Sequence, residues 1–149
     1  MKIAIAGYGV VGRGTHELLL MNRDKIAARA GEEIEVKYVL DPKPLEGTPA
    51  ERLKASGIEE ILADPEVKLL VEAIGGVGPA YEYVKAALES GRSVVTPNKQ
   101  LVAEKGAELL AIAREKNVGF LFEASVAGGT PVLHPISQCL WANDLDLAA

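Results

Sequence analysis

Residues Lys2 to Ala6 form a short apolar run that leads directly into Gly7-Tyr8-Gly9-Val10-Val11-Gly12, and a helical pattern follows. A nearly continuous apolar run of this length reads as a strand buried on both faces of a parallel sheet. In that strand–turn–helix setting each glycine has a separate task. Gly7 permits the tight turn, Gly9 lets backbone approach a pyrophosphate, and Gly12 lets helix and strand pack closely. Val10 and Val11 complete the turn as further cofactor-binding candidates, and the helix behind it offers free N–H groups and a dipole that favour an anion. The competing reading is a tight βα turn that holds no ligand.

The rest of the chain repeats the alternation. A helix is expected from Gly14 to Ala30, stopped by Gly31, and a second strand from Glu35 to Leu40, halted by Asp41-Pro42. Residues 43–49 read as a loop, followed by a short helix from about Pro49 or Ala50 to Gly57 and a turn at Leu62–Pro65. Leu69–Ile74 is a third strand, closed by Gly75-Gly76, and Pro79 suits the first turn of a helix that runs to Ser90. Ser93–Thr96, Ala103–Lys116 and Val118–Glu123 complete the pattern as strand, helix and strand. Strands and helices joined by short loops predict an α/β domain, a doubly wound parallel sheet of the Rossmann-like NAD(P)-binding kind.

Composition narrows the partners. The 149 residues carry a formal net charge of −5, and no basic stripe offsets it, which argues against nucleic acid. Two histidines and one cysteine, Cys139, cannot build a zinc cluster or a disulfide framework. Met1-Lys2 leads straight into a strand, and no apolar stretch approaches a membrane span, so neither a secretory signal nor a membrane segment is expected. A reducing cytoplasm fits these features.

Loops leave the expected C-terminal ends of the second to fifth strands, among them Gly75-Gly76-Val77-Gly78, where open α/β sheets bind ligands. Asp41 can accept hydrogen bonds from the adenosine ribose and would disfavour a 2′-phosphate, whereas Lys43 could receive that phosphate. Alternatively, Asp41 is a turn residue before Pro42. In Thr96-Pro97-Asn98-Lys99, Asn98 offers an amide to the nicotinamide or its ribose, and Lys99 a cation near a reacting carbonyl. A lysine on a turn can equally be solvated. Glu123 to Pro131 joins a carboxylate to a small-residue turn whose carbonyls could ligate a hard cation, or Glu123 caps a helix opening near Pro131.

Together the glycine turn, Val71-Glu72-Ala73-Ile74-Gly75-Gly76, Val94-Val95-Thr96-Pro97-Asn98-Lys99 and Phe122-Glu123-Ala124-Ser125-Val126-Ala127-Gly128-Gly129-Thr130-Pro131 resemble the N-terminal half of homoserine dehydrogenases. Pro97 stands where many members carry alanine. The resemblance implies reversible reduction of aspartate semialdehyde to homoserine with NADPH or NADH, serving threonine, methionine and isoleucine synthesis. It makes Lys99 the active-site lysine of the nucleotide domain and puts Thr96 and Asn98 against the nicotinamide end. It also makes Glu123, with the carbonyls of Val126 and Gly128, a monovalent-cation site for an ion such as sodium. Residues 1–130 are then the nucleotide domain and 131–149 the start of a connection to a substrate and dimerisation domain, so a homodimer and a small-molecule substrate are expected of the completed protein. For these 149 residues the expectation is cofactor binding with little or no turnover. A non-catalytic NAD(P)-binding regulatory module is the alternative from another class.

Overall fold

The computed structural model describes residues 1–126. Strand β1 (Lys2–Ala6) is followed by helices α1 (Val10–Met21) and α2 (Arg23–Ala30), then β2 (Glu35–Leu40) and a 3-10 turn at Glu51–Leu53. Next come α3 (Ile58–Ala63), β3 (Val67–Glu72), α4 (Gly78–Glu89), β4 (Ser93–Val95), α5 (Lys99–Lys116), β5 (Phe120–Leu121) and α6 (Glu123–Val126). The strands form one sheet in the order β2-β1-β3-β4-β5, and every neighbouring pair is parallel. This is the Rossmann-like α/β architecture expected from the alternation of elements.

Side-chain alternation along the strands divides the core into two. Ala4 and Ala6 join Leu70, Val94 and Phe120 on the face covered by α3, α4 and α5, with Val84, Leu88, Leu101 and Leu109 fully buried among them. Ile3 and Ile5 point the other way, into a smaller cluster with Val36, Val39 and Val71, against which Leu19 of α1 packs. The connection after β1 leads outward to β2, and the next crosses back to β3. The order therefore reverses between β1 and β3, and the crevice beyond their C-terminal ends is the usual ligand position in such sheets.

Several element boundaries differ from the sequence reading. The helix expected over residues 14–30 begins at Val10 and breaks at Asn22, which has φ −116° and ψ 23°. The Asn22 side-chain amide donates to the Leu18 carbonyl at 3.2 Å while its backbone N–H donates to the same oxygen at 3.0 Å. That competition for one acceptor ends α1 and starts α2. The helix expected up to Gly57 is instead the 3-10 turn, and α3 begins after Gly57. Tertiary pairing overrides propensity there: Ala55 N–H donates to the Val39 carbonyl at 2.9 Å, drawing the segment onto β2. The Glu60 carboxylate then accepts from both the N–H and the hydroxyl of Ser56 at 2.8 Å, which closes the first turn of α3. Strand β3 starts and ends two residues earlier than expected, and α5 starts four residues earlier because Asn98 caps it.

Candidate functional site

The three glycines of the turn differ in their steric surroundings. Gly7 has φ +94°, a left-handed conformation, and a Cβ there would sit 2.5 Å from the Ala73 carbonyl oxygen. A Cβ at Gly12 would lie 1.9 Å from the Gly7 carbonyl oxygen and 3.2 Å from Ile5, so α1 rests directly on β1. At Gly9, by contrast, a Cβ would meet nothing within 4 Å. Backbone is thus exposed to open space at Gly9, where a pyrophosphate is expected. No side chain caps α1 and its first turn holds no acidic residue, so its N-terminus keeps its partial positive charge for an anion.

Residues distant in sequence hold the turn. The Gly7 N–H donates to the Leu40 carbonyl at 2.8 Å, and the Tyr8 N–H donates to Asp41 Oδ2 at 2.6 Å. Asp41 Oδ1 accepts from Lys43 N–H at 2.8 Å, so Asp41 is a turn residue and also ties β2 to the glycine turn. A carboxylate offers about four acceptor positions, which leaves capacity for ribose hydroxyls. Tyr8 is anchored beneath α1, where its hydroxyl meets His16 Nδ1 at 2.8 Å. Burial pushes the Tyr8 phenol above, and the His16 imidazole below, their ordinary values.

A cleft of about 850 Å³ opens beside this turn, lined by Gly7, Tyr8, Gly9 and Arg13, by Asp41 and Lys43 after β2, by Lys54, and by Ala73 and Ile74 after β3. The size falls within that of small-molecule and cofactor sites. Arg13 and Lys54, which the sequence reading did not single out, add two cations to this lining, Arg13 paired with Glu17 at 2.8 Å. The Lys54 ammonium donates to the Lys43 carbonyl at 3.0 Å.

The loops after β3 and β4 meet at the crevice. Gly75 and Gly76 have φ +82° and +67° and are exposed. Glu72 is fully buried at the end of β3. Its Oε1 accepts from Ile74 N–H at 2.7 Å and Gly75 N–H at 3.2 Å, and its Oε2 accepts from the Thr96 hydroxyl. Thr96 Oγ1 in turn accepts from Asn98 N–H at 3.0 Å. The Asn98 side chain donates to the Gly76 carbonyl at 2.6 Å and caps α5 by accepting from Leu101 N–H at 3.1 Å. Thr96 is therefore buried, and Asn98 joins the two loops while one amide hydrogen stays available. Lys99 occupies the first position of α5 and is exposed. A cation there opposes the helix dipole, so its placement does nothing for helix stability.

Glu123 does not end a strand as expected. Strand β5 stops at Leu121, and Glu123 opens the short α6, a position that suits an acidic residue. The Val126 carbonyl belongs to α6, whereas Gly128 and the expected connection at 131–149 lie outside the described residues. Among the described residues, no group of three histidine, cysteine, aspartate or glutamate side chains is placed to hold a metal.

The model of the NAD-binding domain of homoserine dehydrogenase matches residues 7–123, from the glycine turn to Glu123. The chain belongs to the homoserine dehydrogenase family. Homoserine dehydrogenase of Pseudomonas aeruginosa is 44% identical over 100% of this chain and 35% of its own length. The Lactococcus lactis enzyme is 39% identical over 93% of this chain and 33% of its own length. The crystal structure of a homoserine dehydrogenase from Thiobacillus denitrificans superposes with a TM-score of 0.86 at 38% identity, covering 96% of this chain and 34% of that one. A hyperthermophilic archaeal homoserine dehydrogenase in complex with NADPH has a TM-score of 0.71 at 27% identity, covering 91% and 48%. The chain thus spans about a third of the length of the curated relatives it matches. Glu72, Arg13 and Lys54 were not read as site residues from sequence. Glu72 did leave a signal, a charged residue closing an apolar strand.

Proposed function

We propose that this chain is the nucleotide-binding part of an NAD(P)-dependent homoserine dehydrogenase that interconverts aspartate semialdehyde and homoserine. The observation that carries this reading is the open backbone at Gly9, beside an uncapped helix N-terminus, in the crevice where the strand order reverses. These residues fit a dinucleotide: Gly9 and the start of α1, with Val10 and Val11, take the pyrophosphate. Asp41 and Lys43 take the adenosine ribose, and Gly75, Gly76 and Asn98 frame the nicotinamide end, with Thr96 buried behind them. When bound, a reduced nicotinamide supplies the hydride for aldehyde reduction.

The chain's own contribution is positioning and charge. Lys99, exposed where α5 leaves the crevice, would donate a proton to the alkoxide oxygen and stabilise its developing charge. Lys43, Arg13 and Lys54 at the ribose end support acceptance of a 2′-phosphate, so NADPH is proposed as a cofactor alongside NADH. Glu123 and the carbonyls of Val126 and Gly128 are proposed to hold a monovalent cation such as sodium. Homoserine turnover, its place in threonine and methionine synthesis, a homodimer and a cytoplasmic location are proposed for a protein of the relatives' length. None of the described helices is long and apolar enough to cross a membrane.

Calorimetric titration of the 149-residue chain with NADPH and NADH tests the reading. Saturable binding that Gly9→Val abolishes is expected. Absence of binding at millimolar cofactor would overturn it.

A further inference from the structure

The carboxylate of Glu72 is fully buried, yet it occupies the end of a strand where an apolar residue would be easier to accommodate. Its three hydrogen-bond donors belong to two different loops. Ile74 and Gly75 follow β3, and Thr96 follows β4. Two further bonds extend the link, from Asn98 N–H to Thr96 and from the Asn98 amide to the Gly76 carbonyl. Ala73, the residue after Glu72, closes against Gly7 in the glycine turn. Lys99 follows Asn98 by a single peptide bond. One buried carboxylate thus connects the Gly75-Gly76 loop and the segment that delivers Lys99.

We propose that Glu72 and Thr96 are positioning residues that clamp the β3 and β4 loops around the nicotinamide half of the cofactor. This rests on the cofactor reading above, and it assigns these two residues a role that neither exposure nor cofactor contact would reveal. Glu72 acts through the loop backbone, accepting from Ile74 and Gly75 N–H where the chain enters the left-handed Gly75 and Gly76. Thr96 carries the constraint to Asn98. The adenosine half is held separately by Asp41 and the α1 N-terminus. Loosening the clamp therefore affects one half of the ligand and spares the other.

The test titrates the 149-residue chain with NADPH and with 2′,5′-ADP, which lacks the nicotinamide half, in wild type, Glu72→Gln, Thr96→Val and Thr96→Ser. Glu72→Gln keeps the acceptor for Ile74 and Gly75 but faces Thr96 with an amide donor, so the hydroxyl loses its acceptor. Thr96→Val removes the hydroxyl at nearly constant volume. Both are expected to weaken NADPH by roughly tenfold or more, as for loss of a hydrogen bond to a charged group. Affinity for 2′,5′-ADP is expected to stay within about twofold, and Thr96→Ser to recover most of the loss. Parallel loss of both ligands, unchanged NADPH affinity, or failure of both Glu72→Gln and Thr96→Val to fold would overturn the clamp. If wild type bound neither ligand, the cofactor reading itself would fall, and the clamp with it.

Discussion

Gly12 and Gly7 are in direct backbone contact across the first turn of α1, with the Gly7 carbonyl 1.9 Å from where a Cβ of Gly12 would be. No side chain can move aside to relieve that overlap, because the obstructing atom is backbone. Gly12→Ala is therefore expected to destabilise the chain by about 1–3 kcal/mol, lowering Tm by roughly 3–10 °C. Gly9→Ala, where a Cβ meets open space but the α1 N-cap changes, is expected to cost at most about 1 kcal/mol, lowering Tm by no more than about 4 °C while weakening NADPH by roughly tenfold. Thermal melts and titrations of the two variants separate packing from ligand approach.

Lys99 sits against the positive end of the α5 dipole. Lys99→Gln is expected to keep or slightly raise stability, by about 0.3–1 kcal/mol. In a protein of the relatives' length the same change is expected to lower kcat by about 10²–10⁴. A clear fall in Tm would mean that the side chain supports the fold.

Lys43, Arg13 and Lys54 line the cleft in which the ribose of the cofactor is proposed to sit. Lys43→Ala is expected to weaken NADPH by roughly tenfold with little change for NADH, and the difference should shrink in high salt as charges are screened. Equal effects on both cofactors would show that Lys43 does not meet a 2′-phosphate.

His16 is buried against Tyr8, and desolvation lowers its pKa from the ordinary 6.5. Folding therefore favours the neutral ring. The associated stability is fully present above about pH 6.5 and is lost as pH falls through the depressed folded value. Denaturant melts should show this acid limb, and His16→Gln should flatten it. An unchanged pH profile in the variant would assign the limb to carboxylates.

Much of the fold was legible in local sequence. The apolar run of β1, the glycines behind it and the stops at Gly31 and Gly91 act within a few residues. The placement of Gly7, Gly9 and Gly12 followed from one turn's steric needs. Element ends were less legible wherever a side chain or a partner strand intervened, as at Asn22, Asn98 and Ala55.

What the sequence by itself determined is an alternating α/β chain with a glycine turn behind its first strand, because periodicity and turn chemistry are short-range. What tertiary structure alone decided is which distant groups share the crevice. Asp41 reaches Tyr8 across 33 positions, and Thr96 reaches Glu72 across 24. Those pairings exist because the strand order sets β1 between β2 and β3, and β3 beside β4. Parallel strands joined by crossovers bring their C-terminal ends together, and no local pattern records which neighbours they will have.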